Sequence, residues 1–242
     1  MSYIPKIIHY CWFGGNPLPP SALDCISSWK KYFPDYEIKE WNETNFDVNA
    51  VPFSRDAYAL KKYAFVSDYA RFQILYESGG IYFDTDVEVI KSFDDIIANG
   101  SYMGFENGGV NPGLGFAVTP RHPLIKEMLD VYASLPSFRE DGTFNQTTVV
   151  AHTTQVLEKH GLLKTNTIQE RAGVTIYPMD YFCPLNYETN ELTITANTRS
   201  IHHYSATWVT FNQKMFKKIE HCCGRKLAKF MSRMLRAFHL LK

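Results

Sequence analysis

The stretch from residue 54 to residue 86 constrains the fold most. Residues 54–78 place Ala57, Leu60, Ala64, Phe65, Tyr69, Phe72 and Leu75 or Tyr76 along one broad face, the spacing of a helix with an apolar side. Gly79-Gly80 closes it, and Ile81-Tyr-Phe83 follows as a short apolar strand that runs into Asp84-Thr-Asp86. A helix, a glycine stop, a buried strand and an acidic tip predict an α/β sheet whose site lies at strand C-termini.

The flanking segments agree with this fold class. Residues 6–13 read as a buried first strand, residues 20–32 as a helix opened by Pro19-Pro20-Ser21, and residues 36–41 as a second strand. Further strands are expected at 102–105, 114–118, 174–177 and 200–204, and helices at 122–135, 145–160 and 214–241. A chain of 242 residues with 45% hydrophobic and 21% charged residues can bury one sizeable core, which excludes global disorder.

The zero net charge conceals an asymmetry. Residues 214–242 hold nine Lys or Arg and one Glu, and the remainder carries the compensating acidic excess. The expected organisation is a catalytic domain over 1–213 and a basic amphipathic helix over 214–242. Five cysteines without a Cys-x-x-Cys pair support neither a disulfide framework nor a zinc knuckle. No long apolar stretch follows Met1, so a cytoplasmic protein is expected. The basic helix would either pack on the body or lie on the anionic inner face of a membrane. No nucleic-acid module accompanies it.

The acidic tip carries the chemistry. One Asp after a strand is ordinary turn chemistry. Asp84 and Asp86, with Glu88 beyond, concentrate negative charge that a cation relieves. Hard divalent ions such as Mn²⁺ or Mg²⁺ take oxygen ligands and bridge to phosphates. Upstream, Asp68 and Arg71 lie three apart on the helix and share a face. Ordinarily such a pair is a surface ion pair, yet its neighbours here are apolar, so it is expected to be partly buried. A guanidinium there can fork onto a phosphate or a sugar hydroxyl.

Five segments in order carry a resemblance: Ile4-Pro-Lys-Ile-Ile-His-Tyr-Cys-Trp-Phe-Gly14, Ser28-Trp-Lys-Lys-Tyr-Phe-Pro34, Ser67-Asp68-x-x-Arg71, Gly79-Gly-Ile-Tyr-Phe-Asp-Thr-Asp86, and His202-His-Tyr-Ser-Ala-Thr-Trp208. Across residues 4–208 the chain resembles the Asp-x-Asp sugar-transferases of glycosyltransferase family 32, and distantly the glucosyltransferase domains of large clostridial toxins. The resemblance implies a GT-A type, Rossmann-like nucleotide-sugar-binding domain.

It also implies residue roles. Trp12, with His9 nearby, would line the base pocket. Ser67, Asp68 and Arg71 would hold the donor sugar and phosphates, and Tyr82 would lie beside the donor. Asp84 would contact ribose and sugar, and Asp86 would bind the metal directly. His203 and Ser205 would complete the ion site, with the Trp208 indole reaching the diphosphate. Adjacent strand residues face opposite ways, so only one of His202 and His203 is expected to be a ligand; the family spacing selects His203. Residues 108–116 have the character of the family's acceptor-side loop, with Gly113 and Gly115 also readable as plain turn residues. Residues 144–148 depart from the family's usual Thr-Gly-Pro.

The implied activity is retaining transfer of a hexose or N-acetylhexosamine from a nucleotide sugar to a glycan acceptor, lipid-linked acceptors included, in capsule, exopolysaccharide or lipopolysaccharide synthesis. A UDP-sugar donor is expected first and GDP-mannose second. Two rival readings are a haloacid-dehalogenase-type phosphohydrolase and a non-catalytic nucleotide-sugar-binding module. In the first, Asp84 would be a nucleophile, and Glu88 stands where Thr or Val is usual.

Overall fold

The computed structural model describes residues 3–205. In chain order the elements are β1 (Ile7–Cys11), α1 (Pro20–Tyr32), β2 (Glu37–Trp41), α2 (Pro52–Ala59), α3 (Tyr63–Ser78), β3 (Gly80–Tyr82), β4 (Val87–Val89), α4 (Asp94–Ala98), β5 (Tyr102–Glu106), β6 (Gly109–Asn111), β7 (Phe116–Val118), α5 (Pro123–Ser134), α6 (Val149–Lys159), β8 (Gln169–Arg171), β9 (Val174–Tyr177), α7 (Met179–Phe182) and β10 (Ser200–His202). The main sheet runs β2-β1-β3-β7-β5-β9-β8, with β6 on β5, while β10 and β4 form a separate antiparallel pair. β1 lies parallel to β2 and to β3, and β5 parallel to β9; β7 runs antiparallel between β3 and β5. The sheet is therefore mixed.

Strand alternation divides the core in two. Tyr82, Met103, Phe116, Val118 and Ile176 face α2, α3, α5 and α6, whereas Ile8, Ile81, Phe83, Tyr102 and Ala117 face α1, α4 and α7. Helices on both faces of one sheet give the three-layer α/β arrangement.

The single helix expected over residues 54–78 is two helices. Lys61 takes a left-handed conformation (φ 56°), and its neighbour's N–H reaches back from Lys62 to Ala57 O (2.8 Å), closing α2. No Gly or Pro marks this turn in the sequence. The break sets α3 on a new axis, where Val66, Asp68, Tyr69, Arg71, Phe72, Ile74 and Leu75 are all buried.

α1 fixes the acidic tip from the other side. The Trp29 indole donates to Val87 O (2.7 Å), and the Val89 N–H donates to Ser28 Oγ (2.9 Å). Ser28 and Trp29 thus hold β4, the strand that directly follows Asp86. The described residues up to Tyr204 belong to one compact unit. Trp208 and the expected basic helix over 214–242 lie outside the described residues.

Candidate active site

Asp84 sits where β3 leaves the sheet. Its N–H donates to Gly113 O (2.9 Å), and its carbonyl accepts from the Val87 N–H (3.1 Å), so the backbone turns sharply between the two aspartates. Arg71 reaches the Asp84 carboxylate from α3, with Nη2 3.3 Å from Oδ1 and Nη1 3.4 Å from Oδ2. The Tyr82 hydroxyl donates to Asp84 Oδ1 (3.2 Å), and the guanidinium stacks over the Tyr82 ring at 4.7 Å.

Arg71 is the hub. Its side chain is only 4% exposed, and it also donates to Asp68 Oδ1 (3.0 Å) and to Ser67 O (3.1 Å). Burial works against its charge, but Asp84, Tyr82 and Asp68 together raise its pKa above the ordinary arginine value. Asp68 shares that cation with Asp84 and is itself buried. Desolvation therefore pushes its pKa up to about 7, against the pull of Arg71.

The second aspartate meets the end of the chain's last described strand. β10 pairs with β4 in the register His202↔Val87, which brings the His202 ring to Asp86, Nε2 3.4 Å from Oδ1. On its other side, Nδ1 lies 3.5 Å from Glu106 Oε2, too long for a hydrogen bond. Burial disfavours the imidazolium, but Asp86, Cys183 and Glu106 outweigh it and raise the His202 pKa well above its usual value. Glu106, Cys183 and His202 place a carboxylate, a thiol and an imidazole within 4.8 Å of one another.

A loop closes the circuit between the aspartates. Asn111 Nδ2 donates to Glu106, and Asn111 Oδ1 accepts from the Gly113 N–H (2.6 Å). A Cβ at Gly113 would stand 1.9 Å from Asp84 Oδ2, and one at Gly115 would stand 2.2 Å from the Phe83 ring. These glycines do more than turn the chain, because they admit the loop against the acidic tip.

Two of the expected site residues have side-chain partners away from the Arg71–Asp84 contact. His203, selected as the ion ligand, has a side chain 40% exposed with Nε2 2.8 Å from Glu88 Oε2; only its backbone N–H meets Asp86, at the carbonyl (2.9 Å). The histidine whose ring meets Asp86 is His202. Alternation said that the pair faces opposite ways, and only the β10–β4 register decides which faces inward. His9, expected at the base pocket, is 1% exposed. Its Nδ1 accepts from the Trp41 indole (3.0 Å), and its Nε2 therefore carries the proton donated to Gly79 O (3.0 Å). Both nitrogens are engaged inside the protein, and burial lowers the ring's pKa to about 4.

The other expected residues lie as follows. Trp12, half-buried, follows β1 with its N–H on Trp41 O (2.8 Å) and its indole donating to Asn16 O (2.6 Å). Ser67 contributes its carbonyl to Arg71, while its hydroxyl donates back to Tyr63 O (3.2 Å). Ser205 is half-buried and engaged in an interaction. Glu106, Asn111 and Cys183 went unnoticed in the sequence; each is an isolated polar or thiol residue near a strand end or short helix, with no motif to announce it.

Residues 19–103, which include the Arg71–Asp84 contact and both tip aspartates, match the family described as a glycosyltransferase sugar-binding region containing a DXD motif. Over those residues the chain is similar to that family. It is 31% identical over 156 residues to inositol phosphoceramide mannosyltransferase 3 of Schizosaccharomyces pombe, covering 62% of this chain and 42% of that protein. It is 25% identical over 147 residues to inositol phosphoceramide mannosyltransferase 1 of the same organism, covering 53% and 43%. The chain thus spans less than half the length of these relatives. The solved PaToxG glycosyltransferase shares the fold, with a TM-score of 0.53 and 21% identity over 65% of this chain and 70% of that one.

At the acidic tip the carboxylate oxygens are donors of the kind a hard divalent ion takes. Asp86 offers carboxylate oxygen, and His202 adds a buried imidazole whose Nδ1 has no hydrogen-bond partner. Carboxylate oxygen suits Mn²⁺ or Mg²⁺, whereas the imidazole could join as a ligand only in its neutral form. Asp84, engaged by Arg71 and Tyr82, faces away from that role and towards α3.

Proposed function

We propose that the chain is a metal-dependent, retaining glycosyltransferase that moves a hexose or N-acetylhexosamine from a nucleotide sugar to a glycan acceptor. The observation that carries this reading is the paired environment of the two aspartates. Asp84 is held by Arg71 and Tyr82, while Asp86 stands beside His202. One carboxylate is thereby fixed for recognition of the donor, and the other stands beside an imidazole where an ion would be held.

When bound, the ion would neutralise the leaving diphosphate. Asp86 and His202 would hold it. Arg71 contributes positive charge at the base of the same site, in a buried setting where charge is worth more than in water. Trp12 offers an aromatic face at the C-terminal end of β1 for the nucleobase. The reaction breaks the bond between the anomeric carbon and the phosphate oxygen and forms one to the acceptor oxygen on the same face. The acceptor's proton passes to the departing phosphate oxygen. The protein's work is positioning and electrostatic stabilisation.

A phosphohydrolase would need Asp84 as a free nucleophile. Both Asp84 oxygens are instead engaged, one by Tyr82 and both by Arg71, which favours transfer. Two relatives are named mannosyltransferases, which supports testing a mannosyl donor beside the UDP-sugars. A role in capsule, exopolysaccharide or lipopolysaccharide synthesis accords with a glycan acceptor. Among the described residues no helix is long and apolar enough to cross a membrane. The basic charge of residues 214–242 supports a cytoplasmic enzyme resting on an anionic inner-membrane surface.

A thermal-shift panel tests the reading. UDP, GDP, UDP-hexoses, UDP-N-acetylhexosamines and GDP-mannose are each added with and without Mn²⁺. At least one nucleotide sugar should raise the melting temperature more with Mn²⁺ than without it. A flat response to every nucleotide in both conditions would reject the assignment.

A further inference from the structure

The two nitrogens of the His202 ring face different groups. Nε2 lies 3.4 Å from Asp86 Oδ1, on the side of the catalytic ion. Nδ1 faces the other way, towards Glu106 Oε2 at 3.5 Å. It is fully buried and has no hydrogen-bond partner among the described residues. A buried ring nitrogen in that state costs free energy unless a ligand engages it.

Three elements converge on that nitrogen. Glu106 ends β5, Cys183 follows α7 and His202 ends β10. Their carboxylate oxygen, sulfur and ring nitrogen all lie within 4.8 Å of one another. Tetrahedral zinc bonds of about 2.0–2.3 Å set neighbouring ligand atoms roughly 3.3–3.7 Å apart. The 3.5 Å between Nδ1 and Oε2 is too long for a hydrogen bond and matches that edge. Partners outside the trio hold it in place. Asn111 Nδ2 donates to Glu106, and the Cys183 N–H donates to Met179 O (2.8 Å). The Tyr204 hydroxyl lies 3.0 Å from Cys183 Sγ, where it can donate to a thiolate. Asp86 completes the arrangement. With an ion on Nδ1, Nε2 keeps the ring's proton and presents it to the Asp86 carboxylate, the usual support of a metal-bound histidine.

Ligand chemistry chooses the ion. Mn²⁺ and Mg²⁺ favour oxygen, whereas thiolate with imidazole and one carboxylate suits Zn²⁺. The His202 imidazolium, favoured by Asp86, Cys183 and Glu106, and the Cys183 thiol each give up a proton when the ion enters. Three protein ligands leave the fourth tetrahedral position to water. We propose that Glu106, Cys183 and His202 Nδ1 form a second metal site that takes Zn²⁺, and that its occupation withdraws His202 from the ion at Asp86. A ring bound through Nδ1 with its proton on Nε2 has no lone pair to offer on the Asp86 side. This coupling rests on the reading that Asp86 and His202 hold the catalytic ion; the zinc site itself does not.

Cobalt(II) titration of the full chain, without donor, tests it. Co²⁺ bound to a thiolate gives a near-ultraviolet charge-transfer band, and Zn²⁺ should displace it. The band should be lost in Cys183→Ser and need about tenfold more Co²⁺ in Glu106→Gln, which also serves if Cys183→Ser does not fold. It should remain in the Cys222→Ser/Cys223→Ser double variant, which removes the adjacent thiols near the end of the chain. In that double variant, one equivalent of Zn²⁺ should weaken Mn²⁺ binding about tenfold, read from the electron paramagnetic resonance signal of free Mn²⁺. No band in the wild-type chain, a band unchanged in Cys183→Ser or Glu106→Gln, or Mn²⁺ binding unaffected by Zn²⁺ would each overturn the proposal. Absence of Mn²⁺ binding in every condition, with the Cys183-dependent band present, would reject the Asp86–His202 ion assignment and leave the zinc site standing.

Discussion

Arg71 and Asp84 meet through two contacts from different secondary-structure elements, Nη2 to Oδ1 at 3.3 Å and Nη1 to Oδ2 at 3.4 Å, with Arg71 almost wholly buried in α3. The pair ties the helix to the strand tip, so its loss affects stability and catalysis together. Arg71→Ala would leave Asp68 and Asp84 near each other without their shared cation. Breaking a buried pair costs about 3–5 kcal/mol. Urea denaturation should show a loss of that order. Sugar transfer should fall on the order of 10²–10³-fold, as for a lost electrostatic group at a reaction centre. Unchanged stability in Arg71→Ala would mean that the buried contact is absent in solution.

Gly113 tests the placement of Asp84 without touching its charge. Its backbone is not in the left-handed region, so alanine is conformationally acceptable, but the new methyl would stand 1.9 Å from Asp84 Oδ2. Gly113→Ala should displace the carboxylate and raise the donor KM about tenfold or more, a shift of roughly 1.4 kcal/mol or above. Its melting temperature should fall as well, but less than in Arg71→Ala, because the displaced carboxylate only loosens its contact with Arg71. A wild-type KM in this variant would show that the loop does not pack on Asp84.

His9 gives a pH signature. Its folded pKa of about 4 lies below the unfolded value of 6.5, so the unfolded chain binds the extra proton first. Stability is therefore present above the unfolded value and declines as pH falls from 6.5 towards 4, by about 3 kcal/mol at most for this group. His122 and His152, also lowered by burial, act in the same direction. The His9→Gln variant should show a shallower decline in melting temperature between pH 7 and pH 5 than wild type. Identical slopes would contradict the neutral, doubly engaged ring.

His202 and His203 are adjacent in sequence and opposite in environment. His202→Ala removes the imidazole beside Asp86 and should weaken Mn²⁺ binding about 10-fold or more, read by isothermal titration calorimetry. His203→Ala removes only an exposed pairing with Glu88, and such surface contacts contribute about 0–1 kcal/mol. Equal effects from the two substitutions would overturn this assignment.

Much of this was legible in the sequence where a local pattern decided the outcome. Ile81-Tyr-Phe83 reads as a strand and Asp84 as its tip from apolar run and turn chemistry alone. The burial of Asp68 and Arg71 followed from their apolar neighbours. What stayed hidden depends on pairing between distant segments. The β10–β4 register, which turns His202 inward, joins residues more than a hundred positions apart. Trp41's bond to His9 likewise depends on strand neighbours. The break at Lys61 was missed because a lysine took a conformation that usually announces itself with glycine. Asn111 and Glu106 are single polar residues whose meaning arises only when β5 and β6 bring them together.

The central claim is that Asp86 serves the ion while Asp84 serves the donor. The most direct test is a Mn²⁺ titration of nucleotide-sugar turnover by wild type and Asp86→Asn. Wild type should be activated by the metal, and Asp86→Asn should lose on the order of 10²-fold or more in turnover at limiting Mn²⁺. Full turnover by Asp86→Asn at limiting Mn²⁺ would contradict the account.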